Sequence, residues 1–191
     1  GPECMPRFPT ILFFGERRSG KSFAARHLLT SSWKEIPFGV VLTYTKVNKY
    51  WDDYVPERWI FQGMRHDVLE NLKKRQLKKI KKYGYDDPRA WAFIIMDDII
   101  SNPNELRYDN TINSFFTEGR HLCISVCILS QHVTAVGPML RKNTDLAVIQ
   151  PTYEIDSVKI LHKLFGGFIS MKEWQALINE VCQNKYLEGN T

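Results

Sequence analysis

Long apolar segments, paired cysteines, internal repeats and low-complexity stretches are all missing from this chain of 191 residues. No apolar run approaches the ~20 residues that a transmembrane helix needs, so we expect neither a membrane span nor a signal peptide. The four cysteines, Cys4, Cys123, Cys127 and Cys182, form no C-x-x-C pair and no secreted framework, which favours reduced thiols in a cytosol-like compartment. These absences argue against the membrane-spanning and the disulfide-stapled classes of protein.

The chain also lacks a large excess of one charge: it has 26 basic and 21 acidic residues, and its net charge is +5. This charge gives a mild bias toward anionic partners. The chain is 43% apolar and 13% aromatic, which together with its length predicts one packed domain over residues 1–191. Residues 1–9 are taken as an N-terminal extension, in which Gly1-Pro2 has the form of a protease-cleavage scar.

The residues from Gly15 to Ser22 match the pattern G-x-x-x-x-G-K-[ST] in full. The apolar run 10–14 before them has the length of a buried strand, and residues 23–29 after them have helical spacing. Glycines let the backbone curl its N–H groups toward an anion, and the following helix adds its positive N-terminal end. We therefore expect a loop that binds the phosphates of a nucleoside triphosphate. Its candidate binding residues are Gly15, Glu16, Arg17, Arg18, Ser19, Gly20, Lys21 and Ser22.

Two acidic residues end the apolar segment 91–98, which resembles a Walker B element. An unalternating apolar run is typical of a parallel strand covered on both faces, and ligands bind at the carboxyl ends of such strands. The Ser22 hydroxyl is the predicted ligand of Mg²⁺, Asp97 is expected to hold the ion through water, and Lys21 is expected between the β- and γ-phosphates. Asp98 is expected to orient or deprotonate the attacking water. Gln131, at the exit of another buried strand, has the donor and acceptor groups to contact both the γ-phosphate and that water.

The remaining periodicity predicts an α/β fold. Further strands are expected at 38–44, 59–61, 122–129 and 145–149, and further helices at 67–83, 109–118, 133–141, 156–165 and 170–181. The helix 133–141 is expected to be broken by Gly137-Pro138. Gly119 is the expected C-cap of the helix 109–118. A loop is expected over 101–110, and the C-terminal helices fall within 151–191.

The predicted helix 67–83 lies in a basic insertion, residues 62–90, and carries most of its positive charge. Its expected apolar stripe consists of Val68, Leu69, Leu72, Leu77 and Ile80. The helix is either the lining of a nucleic-acid track, where cations contact phosphates, or a solvated outer face. The sequence supports both interpretations equally.

Four segments together resemble the genome-packaging ATPases of large DNA viruses, of the poxvirus-like type. They are Gly15–Ser22, Ile94–Asp98, Phe116–Ser125 and Ser130-Gln131, and the resemblance spans about residues 10–150. These ATPases belong to the FtsK-HerA group of P-loop motors. The resemblance implies a RecA-like (ASCE) core, with a mostly parallel central sheet flanked by helices on both faces. The strand that ends at Gln131 is expected between the Walker B strand and the phosphate-loop strand.

The resemblance also implies function. It implies ATP and Mg²⁺ as cofactors, a ring of five or six copies around double-stranded DNA, a capsid or portal partner, and action at the viral factory in the host cytoplasm or in the virion. Gln131 corresponds to the γ-phosphate sensor of that group. An arginine from a neighbouring copy completes the site, with Arg120 as the first candidate and Arg141 as the second.

Two other functions fit a phosphate loop in a chain of this size. A small nucleotide or nucleoside kinase would need a mobile arginine-rich lid, and no clear lid is visible in the sequence. A non-hydrolysing NTP-binding module would bind nucleotide tightly without turnover, even in the presence of DNA.

Overall fold

A six-stranded sheet forms the centre of the molecule. A computed structural model describes residues 5–99, 109–132, 136–150, 152 and 154–188, with side chains to residue 180. The strands are β1 (Thr10–Phe14), β2 (Gly39–Thr43), β3 (Ile60–Gln62), β4 (Ala92–Asp97), β5 (Ile124–Ser130) and β6 (Leu146–Ile149). Each begins and ends within two residues of its predicted bounds. Residues 101–108 of the predicted loop and residues 133–135 of the predicted helix 133–141 lie outside the described residues, and the described part of that helix begins at Pro138, where the break was predicted.

The strand order is β3-β2-β4-β5-β1-β6, and every pair is parallel. The predicted RecA-like α/β class is therefore confirmed, as is the position of β5 between β4 and β1. Phe14 pairs with Ser130 across β1 and β5, and Asp97 pairs with Leu129 across β4 and β5. Because parallel strands end at the same edge, this register brings the residues that follow β1, β4 and β5 together.

Helices cover both faces of the sheet. They are α1 (Lys21–Thr30), α2 (His66–Tyr83), α3 (Asn110–Glu118), α4 (Pro138–Lys142), α5 (Ile155–Phe165) and α6 (Met171–Glu188). One face, with Leu12 and Phe14, packs against α2 to α6. The opposite face, with Ile11 and Phe13, packs against α1 and against Trp33, Trp51 and Val55. Successive strand residues point to opposite faces, so these unalternating runs are buried on both sides.

The buried side of α2 differs from the predicted stripe at one position. Leu69, Leu72 and Gln76 are buried, whereas Leu77 is 59% exposed. The spacing of three and four residues continues from Leu72 to position 76, and Leu77 lies one helical step away from that side. Gln76 is accommodated because its amide donates to the carbonyl oxygens of Ala90 (2.6 Å) and Leu122 (3.0 Å). Its placement in the core is therefore chemically satisfied.

Gly119 is the C-cap of α3, as predicted, but it does not adopt the left-handed conformation common for glycine at that position. Its φ and ψ are −52° and −40°, and the chain continues into a 3₁₀ turn over Gly119–Leu122, so the left-handed residue is Cys123, with φ 54°. A Cβ at Gly119 would lie 3.2 Å from the carbonyl oxygen of Ile124, so close packing accounts for the glycine. The last helix also extends beyond its predicted end near residue 181, to Glu188.

None of the described helices is long and apolar enough to cross a lipid bilayer.

Candidate active site

The predicted phosphate loop connects β1 to α1. Two of its residues adopt left-handed backbone conformations, Arg18 with φ 64° and Gly20 with φ 95°, and Gly20 directly precedes the first residue of α1. A Cβ at Gly15 would lie 2.5 Å from Ser19 Oγ and 2.6 Å from Gln150 Cβ, so a side chain at this position would force its neighbours apart. The loop therefore wraps tightly and places the N-terminal end of α1 toward the space above it.

Lys21 folds back onto this loop and is only 5% exposed. Its ammonium donates to the carbonyl oxygens of Gly15 (2.7 Å) and Glu16 (2.9 Å). Burial lowers the pKa of Lys21, and the negative charges of Asp98, Asp97 and Glu16 oppose that shift. A buried cation held by neutral carbonyls is suited to exchanging them for a phosphate, because an anion would compensate its charge more fully.

Asp97 is the last residue of β4 and is 5% exposed. One carboxylate oxygen, Oδ1, accepts a hydrogen bond from the Ser22 hydroxyl (3.2 Å), and the other, Oδ2, accepts one from the Trp51 indole N–H (3.0 Å). Burial raises the pKa of Asp97, and the charge of Asp98 adds to the rise, while the two hydrogen bonds and Lys21 counteract it. The predicted pair Ser22 and Asp97 is thus adjacent at the mouth of the loop.

Asp98 follows β4 in a left-handed conformation, with φ 49°. This turn directs its carboxylate toward the neighbouring strand, where Oδ2 accepts a hydrogen bond from Gln131 Nε2 at 2.6 Å. Gln131 is exposed and directly follows β5. The predicted water-activating carboxylate and the predicted γ-phosphate sensor are therefore in direct contact.

A cleft of about 300 Å³ opens beside Lys21, Ser22 and the two aspartates, and Gln131 is not among the residues that line it. Its walls include loop residues 17–23 and both aspartates, together with Thr45, Asn48 and Tyr50 from the segment after β2. The Arg26 guanidinium lies 3.8 Å from the centre of the Tyr50 ring, and Tyr50 packs edge-on against Trp51. Sequence reasoning missed this wall and Trp51, because the segment 46–56 carries no motif that indicates a chemistry.

The two candidate arginines lie away from this cleft. Arg120 precedes β5 and pairs with Asp145, which precedes β6, so it lies at the edge of the sheet opposite the phosphate loop. Arg141 lies on α4 and donates to the carbonyl oxygen of Val136. It is two residues from Asn143, whose carbonyl oxygen accepts from the Thr10 hydroxyl at the start of β1. Neither guanidinium is part of the nucleotide cleft of its own chain.

Three features together define a RecA-like P-loop NTPase. A glycine loop joins β1 to α1, an aspartate ends β4, and β5 lies between β4 and β1 in a parallel sheet. The chain belongs to the Poxvirus A32 protein family, whose model matches residues 7–163. The resemblance to the packaging ATPases of large DNA viruses is thereby confirmed.

Two individual relatives share about a quarter of their aligned residues with this chain. The chain is 25% identical over 179 residues to the uncharacterized protein L437 of Acanthamoeba polyphaga mimivirus, which covers 89% of this chain. It is 26% identical over 160 residues to the uncharacterized protein 075L of Invertebrate iridescent virus 6, covering 83% of this chain. The chain spans only 62% and 60% of the length of these two relatives.

Among solved structures, the fold is similar to that of the genome packaging NTPase B204 from Sulfolobus turreted icosahedral virus 2, in complex with AMPPCP. The TM-score is 0.60 at 18% sequence identity, and the match covers 88% of this chain and 87% of that one.

Proposed function

We propose that this chain is an ATP-hydrolysing motor that moves double-stranded DNA into a viral capsid. The observation that carries the proposal is the meeting of three elements at one edge of the sheet. They are the phosphate loop with Lys21, the adjacent oxygens of Ser22 and Asp97, and the contact between Asp98 and Gln131. Membership of the Poxvirus A32 family and the fold shared with a genome packaging NTPase support this choice of motor.

The donor chemistry at Ser22 and Asp97 fits Mg²⁺, which prefers hard oxygen ligands and keeps several waters. The two oxygens lie 3.2 Å apart beside the loop, and the Trp51 indole N–H donates to the other carboxylate oxygen, so Ser22 and Asp97 would be the residues to hold the ion. When bound, Mg²⁺ would supply positive charge to the phosphate oxygens. The chain itself positions the reactants: loop N–H groups and Lys21 hold the phosphates, and Asp98 accepts the proton of the attacking water.

Gln131 is proposed to sense the γ-phosphate. In the described structure its amide donates to Asp98, which keeps both groups at the exit of the adjoining strands. The amide oxygen remains available to accept from a water, and Nε2 can exchange Asp98 for a phosphate oxygen. Loss of the γ-phosphate would return Gln131 to Asp98.

The catalytic arginine is proposed to come from a neighbouring copy in a ring. Arg120 is the first candidate, because its side chain is 52% exposed and lies at the sheet edge opposite its own cleft. Arg141 remains the second candidate. A ring of five or six copies, a capsid or portal partner, and action in the host cytoplasm or the virion complete the proposal.

DNA-stimulated ATP hydrolysis tests this function. We expect slow turnover at low protein concentration, and faster turnover when DNA and more protein are added, because assembly completes the site. Gln131→Ala should lower the maximal rate by about 10²–10³-fold, the range found when one group that stabilises transition-state charge is removed. A rate independent of both DNA and protein concentration would contradict the motor.

Mixing two inactive variants tests the trans arginine. Lys21→Ala removes the phosphate contact but leaves Arg120, and Arg120→Ala does the reverse. Because each copy supplies what the other lacks, a mixture should hydrolyse ATP while each variant alone does not. If the mixture stays inactive and Arg120→Ala alone is active, Arg120 is not the finger, and the same pairing with Arg141→Ala tests the second candidate.

A further inference from the structure

The positive charge of this chain is concentrated on one helix. Residues 71–83 of α2 contain seven lysines and arginines and no acidic residue. The two acidic residues of the helix, Asp67 and Glu70, lie in its first part, before residue 71. Taking these seven charges from the net charge of +5 would leave the rest of the chain at −2. The basic character of the protein therefore comes from this helix.

Six of these cations share one side of α2, and two of them, Arg75 and Lys79, border its buried side, where the Arg75 guanidinium lies 3.7 Å from the centre of the Phe38 ring. At 100° per residue they fall within an arc of about 160°. Four are exposed and two are half-buried. We call this side the outer face of α2, and it consists of Lys74, Arg75, Lys78, Lys79, Lys81 and Lys82. The seventh cation, Lys73, points elsewhere and donates to Ser114 Oγ.

The outer face differs from an ordinary solvated helix surface. A solvated helix usually mixes both signs, with opposite charges four residues apart. Here Lys74, Lys78 and Lys82 follow one another at that spacing, as do Arg75 and Lys79, so like charges repel along the helix. No ion pair among the described residues includes a member of the outer face. The arrangement is unfavourable for the isolated helix and favourable for contact with a polyanion.

The surface has a concave part suited to an extended ligand. Lys74, Lys78 and Lys82 border a cleft of about 510 Å³ that also reaches Arg75 and Tyr83. The distance along α2 from Lys74 to Lys82 is about 12 Å, over which duplex DNA carries about seven phosphate charges. A membrane surface fits less well, because Leu69 and Leu72 on the apolar side of α2 are buried in the core.

We propose that the outer face of α2 is the track on which the phosphate backbone of double-stranded DNA lies. This inference rests on the proposed function, since it assigns the DNA contact of the same motor. Hydrogen bonds connect α2 to the strands that carry the proposed catalytic residues. Gln76, on the buried side of α2, donates to the carbonyl oxygens of Ala90 and Leu122, which lie just before β4 and β5. Arg75 of the outer face donates to the Gln76 side-chain oxygen at 2.5 Å.

The test compares two triple variants of the full chain. Lys74→Gln, Lys78→Gln and Lys82→Gln together neutralise the track. Lys159→Gln, Lys163→Gln and Lys172→Gln neutralise three exposed lysines on α5 and α6 and serve as the matched control. Affinity for a labelled duplex of about 30 base pairs is measured by fluorescence anisotropy from about 50 to 200 mM salt. Thermal melting of each variant shows whether it folds.

The track variant should bind duplex DNA more than about tenfold more weakly at about 100 mM salt, and its logarithmic salt dependence should be shallower by about 2.7, which is 0.9 for each lost phosphate contact. The control should change affinity by less than about twofold. The track variant should melt no lower than the wild type, because it removes repulsion between like charges.

Four results would overturn the proposal. The track variant could keep the wild-type affinity and salt slope, or the control could lose as much affinity as the track variant. Polyglutamate could also compete as well as duplex DNA at equal charge, which would assign the face to an acidic polypeptide. Wild type that binds no DNA at any salt would likewise overturn the track, while ATP hydrolysis measured without DNA reports separately on the nucleotide site.

Discussion

Replacing Trp51 with phenylalanine removes one hydrogen bond, the one that is proposed to orient Asp97 in the metal site. Trp51 is 1% exposed, and its indole N–H donates to Asp97 Oδ2 at 3.0 Å. Phenylalanine keeps an aromatic ring beside Tyr50 but has no donor. A hydrogen bond to a charged group contributes about 1.5–3 kcal/mol, and the space left by the smaller ring adds about 1 kcal/mol. The free energy of unfolding should therefore fall by about 2.5–4 kcal/mol.

The same change should weaken the metal site, because the freed carboxylate can rotate away from Ser22. Removing a group that orients a metal ligand lowers metal affinity by about 10–100-fold. We expect the Mg²⁺ concentration for half-maximal ATP hydrolysis to rise by that factor. The acidic limb of the pH–rate profile should also move to higher pH, because the Trp51 hydrogen bond lowers the pKa of Asp97 and its loss raises it.

Trp33→Phe is the matched control. Trp33 belongs to the same hydrophobic cluster and is 4% exposed, but it stacks on Phe93 instead of bonding to a carboxylate. It should lose only the packing contribution, about 1 kcal/mol, and keep the wild-type Mg²⁺ and pH dependence. Equal losses of stability in both variants, with Mg²⁺ dependence unchanged in Trp51→Phe, would refute the positioning role.

Three further substitutions have defined outcomes. Burial raises the pKa of Asp97, so the folded chain keeps a proton there that the unfolded chain loses as pH rises above about 4. Asp97→Asn should therefore melt at a higher temperature than wild type at pH 7 without nucleotide, and calorimetry should show the gap closing below about pH 4. Gln76→Leu leaves the carbonyls of Ala90 and Leu122 without donors and should cost about 2–4 kcal/mol in urea unfolding. Lys21→Ala should weaken ATP binding at least about 100-fold, measured with a fluorescent analogue.

Each of these has its own check. Leu77→Ala, at the exposed neighbour of Gln76, should change stability by less than about 0.5 kcal/mol. A melting temperature of Asp97→Asn below that of wild type at pH 7 would contradict the raised pKa of the aspartate. ATP affinity of Lys21→Ala equal to wild type would place the nucleotide outside the loop.

Local patterns predicted the parts of this fold that depend on neighbouring residues. The phosphate loop follows from a strand, two glycines and a helix in one continuous stretch, and the strands follow from apolar runs with little alternation. The order β4-β5-β1 was not readable from periodicity, because strand pairing joins residues far apart in sequence. It came from the resemblance to packaging ATPases, and the sheet confirms it.

Contacts between distant segments were beyond such patterns. Trp51 and Asp97 are 46 residues apart, and no sequence pattern near Trp51 predicts its hydrogen bond to a carboxylate. Gln76 was overlooked for a different reason: a polar residue enters the core of α2 only because two backbone carbonyls outside the helix accept its amide. The hydrophobicity of Leu77 led to the prediction that it is buried, but its angular position on the helix exposes it to solvent.

A crystal structure with Mg²⁺ and a non-hydrolysable ATP analogue tests the central claim most directly. We predict that the β- and γ-phosphates lie in the loop, that Lys21 leaves the carbonyl oxygens of Gly15 and Glu16 to contact them, and that the metal lies beside Ser22 and Asp97. An analogue bound elsewhere, with Lys21 still donating to those two carbonyls, would contradict the account.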